Sequence, residues 1–279
     1  KKPFVFEVRD LWPELPKAMK LITNPLILKT LSGLEWASYH SAQRLIGLSP
    51  GIVDGICTRG IRKDRVSMIP NGCDHDFFTK ESEPWRPEGV GQADLMAVFT
   101  GAHGLANGLE AVIAAAIELQ RRNRTDIKLV LVGDGKMKPE LQWKANQALL
   151  ENLIFYDPVP KPKLRGLLQA ADLGMQILAN VPAFYYGTSP NKFFDYIATG
   201  LPVLNNYPGW IAEIVEENSC GFVVSPCDPA AFADALESAA DDRTELIKMG
   251  NNARVLAEKK FDSKYFADKF VDWIEGAKF

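Results

Sequence analysis

Short, unbroken apolar runs alternate along this chain with stretches in which apolar side chains recur every third or fourth residue. The first kind reads as strands buried on both faces, the second as helices with one apolar stripe. From residue 94 onward the alternation is regular. Strands are predicted over 95–100, 127–132, 153–156 and 173–178, with helices over 109–122, 139–150 and 164–171. A helix in the 190s, a strand at 203–204, a helix near 210–217, a strand over 221–224 and helices over 228–241 and 243–258 follow. The first part is looser: a strand over 4–8, a Pro-punctuated loop over 9–16 and a long helix over 25–44 carrying Leu28, Leu31, Leu34, Ala37 and Tyr39. A short strand after Arg44 leads to Ser49 as N-cap and Pro50 as the first residue of a helix through Thr58, and a strand covers 66–69. Pro70-Asn71-Gly72 is a turn by its chemistry, and a linker rich in Pro, Glu and Gly runs to about 93. Such alternation builds parallel, doubly wound α/β sheets, whose ligands sit at the carboxyl ends of the strands.

The most informative stretch is 186–205. A Gly/Thr/Ser/Pro/Asn loop passes into a run with Phe193, Phe194 and Ile197 at helical spacing, which stops at Gly200-Leu201-Pro202 before a strand. Pro190 suits the first helical position, and the amides of Ser189, Pro190's neighbours and Asn191 lie where a helix start attracts an anion. Lys192 puts a full positive charge in the first turn, which the macrodipole disfavours unless a stronger negative charge is near. Asp195, one turn on, can accept hydrogen bonds from vicinal hydroxyls. Phosphate donors beside a diol acceptor suit a nucleotide diphosphate sugar.

Other runs add detail. Gly101-Ala102-His103-Gly104-Leu105-Ala106-Asn107-Gly108 is a Gly-rich strand-to-helix turn that lets backbone amides approach a pyrophosphate. Gly133 and Gly135 form a second turn, with Asp134 able to cap the helix after it, and Asp172 reads as structural. Arg9, Asp10 and Trp12 read either as a pocket wall or as an ion pair and a ring that brace a loop. His40 reads as a satisfied histidine. Arg59, Arg62, Lys63 and Arg65 either meet an anionic membrane surface or form a solvated turn.

Composition narrows the class. The 279 residues, 47% of them apolar, suffice for two domains, and a net charge of −3 argues against a nucleic-acid partner. Cys57, Cys73, Cys220 and Cys227 show no metal-ligand spacing and read as free thiols of a reducing compartment. With no apolar run of the ~20 residues that span a bilayer and no signal peptide, the chain reads as cytoplasmic. It starts without Met and directly in a strand, so upstream strands are expected to be absent.

On these motifs the chain resembles the retaining glycosyltransferases of family four, built from two Rossmann-like domains in the GT-B fold. Asp195 and Ala198-Thr199-Gly200-Leu201-Pro202-Val203 match the family signature, whereas Gly187 stands where its first acid belongs. Gly187-Thr188-Ser189-Pro190-Asn191-Lys192 resembles a sub-branch building bacterial O-antigen and capsule, often with amino sugars. The resemblance implies an acceptor-side N-terminal domain, incomplete here, over 1–72, with Arg9 and Asp10 on its cleft side. It implies a linker over 73–93, a nucleotide-sugar domain over 94–260, and a helix over 261–279 crossing back to the first domain. It implies a diphosphate held by Gly101, Gly104, Asn107, Ser189, Pro190 and Asn191, a ribose on Asp195 and a base read at Tyr156 and Val159. The family's Arg and Lys in the first Gly-rich turn are replaced by Ala102 and Asn107, leaving His103 and Lys192 as the basic candidates for catalysis.

The implied reaction moves a hexose or N-acetylated amino sugar, from a nucleotide sugar with UDP as the nucleotide, to a saccharide or lipid-linked acceptor at the inner membrane. It implies no metal and no further cofactor. A second reading is a nucleotide-sugar-binding subunit whose activity has lapsed, since Gly187, Ala102 and Asn107 each replace a polar contact. A nicotinamide dehydrogenase would need a GxGxxG turn that Gly101 and Gly104 do not supply.

Overall fold

The computed structural model describes residues 2–277, and the chain divides into two compact units. The first comprises the chain up to Gly72, the segment Val181–Asn191, and the chain from Phe261. Its elements are β1 (Val5–Val8), α1 (Glu14–Ala18), α2 (Pro25–Ser41), β2 (Arg44–Gly47), α3 (Pro50–Thr58) and β3 (Val66–Met68). The three strands form a parallel sheet in the order β1-β2-β3. Ser49 caps α3 by accepting a hydrogen bond from the Ile52 amide at 3.3 Å, with Pro50 opening the helix. Leu45, Ile52 and Ile56 are fully buried between sheet and helix.

The second unit, Cys73–Asn180 with Lys192–Lys260, holds a six-stranded parallel sheet. In chain order it contains α4 (His75–Phe78), β4 (Leu95–Thr100), α5 (Glu110–Arg121), β5 (Ile127–Val132), α6 (Lys138–Gln147), β6 (Leu153–Tyr156), α7 (Lys161–Ala170) and β7 (Leu173–Gln176). Then come α8 (Asn191–Thr199), β8 (Val203–Asn205), α9 (Trp210–Glu217), β9 (Gly221–Val223), α10 (Pro229–Asp241) and α11 (Arg243–Lys260). The strand order is β6-β5-β4-β7-β8-β9. Every residue of β4 is buried, as the covering of a central parallel strand on both faces demands. The order reverses between β4 and β7, the kind of switch point at which open α/β sheets hold ligands.

The last helix, α12 (Ser263–Glu275), folds with the first unit. There Trp273 donates from Nε1 to the Leu45 carbonyl at 3.1 Å, and the Arg44 guanidinium lies 4.4 Å from the centre of its ring. Lys269 caps the Met68 carbonyl at the end of β3. The segment Val181–Asn191, placed by sequence inside the second domain, clusters with the first unit, where the Gly51 amide donates to the Tyr186 carbonyl at 3.0 Å. Hydropathy does not register that return, because the segment carries no periodic pattern of its own.

Candidate functional site

α8 is positioned from below by its apolar stripe. Phe193, Phe194, Tyr196 and Ile197 are fully buried, and the Tyr196 hydroxyl accepts a hydrogen bond from the Thr100 amide at 3.0 Å, at the very end of β4. Gly174 in β7 lets that ring pass, since a Cβ there would come 2.5 Å from it. The helix start is thereby fixed over the β4/β7 switch point.

Beside that stripe the first turn carries Lys192, half-buried. Its Nζ lies 3.2 Å from Asn107 Oδ1 and 4.8 Å from the centre of the Phe99 ring, over the backbone of Gly101. A Cβ on Gly101, whose φ is +141°, would stand 3.3 Å from Lys192 Cε. Asn107 in turn donates from Nδ2 to the Ala102 carbonyl at 2.7 Å, so its amide bridges the ammonium and the glycine turn. Gly104 has no heavy atom within 4 Å of where a side chain would begin, which leaves that stretch of backbone open to approach. Gly101, Gly104, Asn107 and Lys192 are thus brought together.

Asp195 is half-buried one turn along, and among the described residues its carboxylate has no hydrogen-bond donor and no ion-pair partner. Burial pushes its pKa up to about 6, with Lys161 and Lys192 pulling the other way and Asp74 adding to the rise. Burial likewise pushes Lys192 down to about 8 against the attraction of Asp195. Two opposite charges three residues apart, each penalised by loss of water and not paired to one another, are arranged for something else to complete them. Asp74 and Lys161 escape a reading of the linear sequence, because only folding brings them towards Asp195.

Two expectations, for His103 and Asp134, are corrected. His103 is fully buried between Phe99 and Phe155, at ring distances of 6.1 and 6.2 Å, and neither ring nitrogen has a hydrogen-bond partner among the described residues. Burial and the nearby Lys138 charge hold its pKa below the ordinary histidine value, so it is a neutral wedge that presents no face to a reacting sugar. Its backbone bonds the two glycine turns together: the amide donates to the Asp134 carbonyl at 2.8 Å and the carbonyl accepts from Met137 at 2.9 Å. Asp134 closes its own turn by accepting from the Gly135 amide at 2.7 Å and does not cap α6. The Tyr156 ring is packed edge-on to Trp85 at 5.3 Å, its hydroxyl accepts from the Glu88 amide, and its carbonyl accepts from Gly133 and Lys138. In the loop after β6, Val159 is half-buried between exposed Pro158 and Pro160.

Lys138 went unnoticed in the sequence. Its buried ammonium donates to the carbonyls of Gly133 at 2.8 Å and Tyr156 at 3.0 Å and to Asp157 at 2.6 Å, tying the β5 turn to the β6 loop. Gly133 and Gly135 are required by close approach: a Cβ on the first would collide with the Gly101 carbonyl at 1.9 Å, and on the second with the His103 backbone at 2.6 Å.

The remaining sequence candidates lie in the first unit. Ser189 Oγ accepts from the Asn71 amide at 3.1 Å, and the Ser189 carbonyl accepts from the Asn71 side chain. Pro190 is half-buried and immediately precedes α8, and Asn191, the first residue of that helix, is exposed. Arg9 and Asp10 line a cavity of about 320 Å³ together with Phe6, Trp12, Leu34 and Tyr39. Arg9 is drawn towards Glu7 at 3.5 Å, and burial holds the Asp10 carboxyl above its ordinary range.

Residues 95–242, more than half of the chain, match the model of the family described as glycosyl transferases group 1. The chain belongs to that family. It is 27% identical over 203 residues to a D-inositol 3-phosphate glycosyltransferase of Nocardia farcinica, covering 70% of this chain and 44% of the relative. It is 24% identical over 251 residues to the D-rhamnosyltransferase WbpZ of Pseudomonas aeruginosa, covering 86% of this chain and 61% of that one. The chain therefore spans about half the length of the curated relatives it matches. Among solved structures, HepE of Anabaena in complex with UDP and glucose superposes with a TM-score of 0.76 at 18% identity, over 99% of this chain and 72% of that one. WaaG, a glycosyltransferase involved in lipopolysaccharide biosynthesis, gives 0.76 at 18% over 99% and 76%. Likenesses at this level establish the fold of this family member, which is GT-B with two parallel Rossmann-type sheets.

Proposed function

We propose that the chain carries the donor side of a glycosyltransferase that moves a hexose or N-acetylated amino sugar from a UDP-sugar, with retention of anomeric configuration, to a saccharide or lipid-linked saccharide. In this reading it works on the cytoplasmic side in the synthesis of a bacterial surface polysaccharide. The observation that carries it is the pair Lys192 and Asp195, both desolvated, neither charge-paired, at the start of one helix over the β4/β7 switch point. Family membership, the UDP complex of HepE and the O-antigen mannosyltransferase of Escherichia coli among the relatives support the choice of donor and setting.

The roles follow from charge. Lys192 and the amides of the Gly101–Gly104 turn hold the diphosphate, Asp195 accepts the ribose hydroxyls, and Val159 with its flanking prolines lies along the base. As the bond from the anomeric carbon to the diphosphate oxygen breaks, negative charge grows on that oxygen and the ammonium meets it where it develops. The acceptor hydroxyl forms the new bond on the same face, and its proton passes to the departing phosphate oxygen. Because the chain's own groups supply the positive charge, transfer is expected to continue in EDTA.

Incubation with a UDP-α-sugar and a lipid-linked or soluble acceptor, followed by proton NMR of the product, tests this. An α-linked product supports retention, a β-linked product refutes it, and failure to bind UDP at all removes the donor assignment. A second reading, donor binding without turnover, is favoured by Gly187: a Cβ there would come 2.5 Å from the Ala183 carbonyl, so this position cannot carry an acid. UDP binding with no transfer to any acceptor would select it.

A further inference from the structure

We propose that a cavity at the amino ends of β4, β7 and β8 binds a sugar monophosphate, at a second site on the opposite end of the strands from the β4/β7 switch point. The cavity measures about 530 Å³ and lies wholly within the second unit. That volume is in the range of small-molecule sites. One wall is a single face of α11, running from Arg243 to Arg254, and the facing wall is the chain that enters each of the three strands.

Arg254 is the cation left for a ligand. Among the described residues its guanidinium has one partner, the Thr199 carbonyl at the end of α8, at 3.2 Å, which leaves most of its five N–H donors unspent. Every other arginine among the described residues has an acid, an aromatic ring or two carbonyls. In the basic run after α3, Arg59 pairs with Glu14 and Glu35, Arg62 with Asp64, and Arg65 caps the carbonyls of Ala42 and Gln43. Arg44 and Arg165 lie on the rings of Trp273 and Phe77. Gly200, at a φ of +78°, makes room for the Arg254 head, since a Cβ there would come 2.9 Å from its Nη2. Asn251, one turn before Arg254 on the same wall, is exposed, and its side-chain amide has no hydrogen-bond partner among the described residues. A guanidinium fork without an acid, beside a free amide, matches the oxygens of a phosphate.

The other end of the cavity selects the body of the ligand. There the positive charge is already cancelled: Arg243 pairs with Asp172 at 2.9 Å, and Asp172 also accepts from the Met96 amide at 2.7 Å. Asp94 spends one carboxylate oxygen on the Gly91 amide at 2.7 Å, and its other oxygen has no donor among the described residues. A free carboxylate oxygen accepts from hydroxyl groups and repels a second phosphate. Arg243 and Arg254 are eleven residues apart, ~16 Å along a helix. Between them lie the apolar Ile247 and Pro202. One anionic head, a carbon body and hydroxyls at the far end describe a phosphorylated sugar.

Isothermal titration of the full chain with glucose 6-phosphate, inorganic phosphate and glucose, each with excess UDP present, tests the assignment. Glucose 6-phosphate should bind at least tenfold more tightly than inorganic phosphate, and glucose should not bind. Arg254→Gln should weaken glucose 6-phosphate binding at least tenfold. Ile247 is 66% exposed, so Ile247→Glu should keep the wild-type melting temperature and, by placing an acid in the cavity, weaken binding as much. Lys192→Ala should leave it unchanged. That arm holds whether or not UDP binds, which separates failure of this site from failure of the donor reading. No binding of glucose 6-phosphate in the presence of UDP, or undiminished binding by Arg254→Gln or Ile247→Glu, overturns the proposal. So does inorganic phosphate binding as tightly as glucose 6-phosphate, because no sugar is then recognised. Loss of binding in Lys192→Ala overturns it too, because the phosphate is then held at the start of α8.

Discussion

Lys192 Nζ stands 3.2 Å from Oδ1 of Asn107, so the ammonium over the first glycine turn is held by a neutral amide and not by a carboxylate. A neutral partner orients the charge without cancelling it, and the whole of its field remains for an incoming anion. That relationship makes the residue's contribution measurable. Lys192→Ala should lower kcat by about 10²–10³, the scale of one lost charge-stabilising donor, with a smaller change in the Michaelis constant for the donor sugar. Steady-state kinetics at saturating acceptor checks it, and near-normal turnover would remove Lys192 from the chemistry.

The site should be costly to the empty protein. Asp195 titrates near 6 in the fold against about 3.8 unfolded, so the fold binds the proton more tightly, and the stability this brings below the lower value is lost as pH rises through 6. Above pH 6 the folded chain bears an unpaired, desolvated carboxylate. Asp195→Asn should then raise the melting temperature of the ligand-free protein at pH 7.5 by a few degrees, roughly 1–2 kcal/mol, while weakening UDP binding by at least tenfold. Calorimetry with and without UDP tests both halves.

Donor affinity should follow a bell with pH. Asp195 must be ionised to accept the ribose hydroxyls, so binding of a UDP-sugar weakens below about 6; Lys192 must be protonated, so it weakens above about 8. The sugar diphosphate has no ionisation of its own in that window, which makes it a cleaner probe than UDP. Lys192→Arg should remove the alkaline limb and Asp195→Asn the acid limb, as read by isothermal titration across pH.

Much of the fold was legible because parallel strands covered on both faces leave unbroken apolar runs: 95–100, 127–132 and 153–156 are the observed β4, β5 and β6. The placement of Lys192 and Asp195 in the first turns of one helix was legible from the apolar spacing around them. His103 was misread because a residue in a Gly-rich turn looks exposed in sequence, and only the approach of Phe99 and Phe155 buries it. Lys138 was invisible for the same reason: its three acceptors come from two loops separated in sequence and joined in space.

Those joined loops yield a structural prediction. Gly133→Ala would place a methyl group 1.9 Å from the Gly101 carbonyl at a φ of +151°, and the two turns must separate. A loss of about 3 kcal/mol or more in unfolding free energy is expected, at the large end for a single substitution. Lys138→Met, which removes the donor shared by the Gly133 and Tyr156 carbonyls and leaves the former without it, should cost about 2–3 kcal/mol. Chemical denaturation reports both, and wild-type stability in Gly133→Ala would contradict the packing described.

The central claim concerns where the donor's phosphates and ribose rest. A crystal structure of the chain with a bound UDP-sugar tests it most directly. The account predicts the diphosphate within hydrogen-bond reach of Lys192 Nζ and the Gly101–Gly104 amides, with the ribose hydroxyls on the Asp195 carboxylate. A nucleotide bound elsewhere, with Lys192 still on Asn107 and Asp195 touching no ribose hydroxyl, would contradict it.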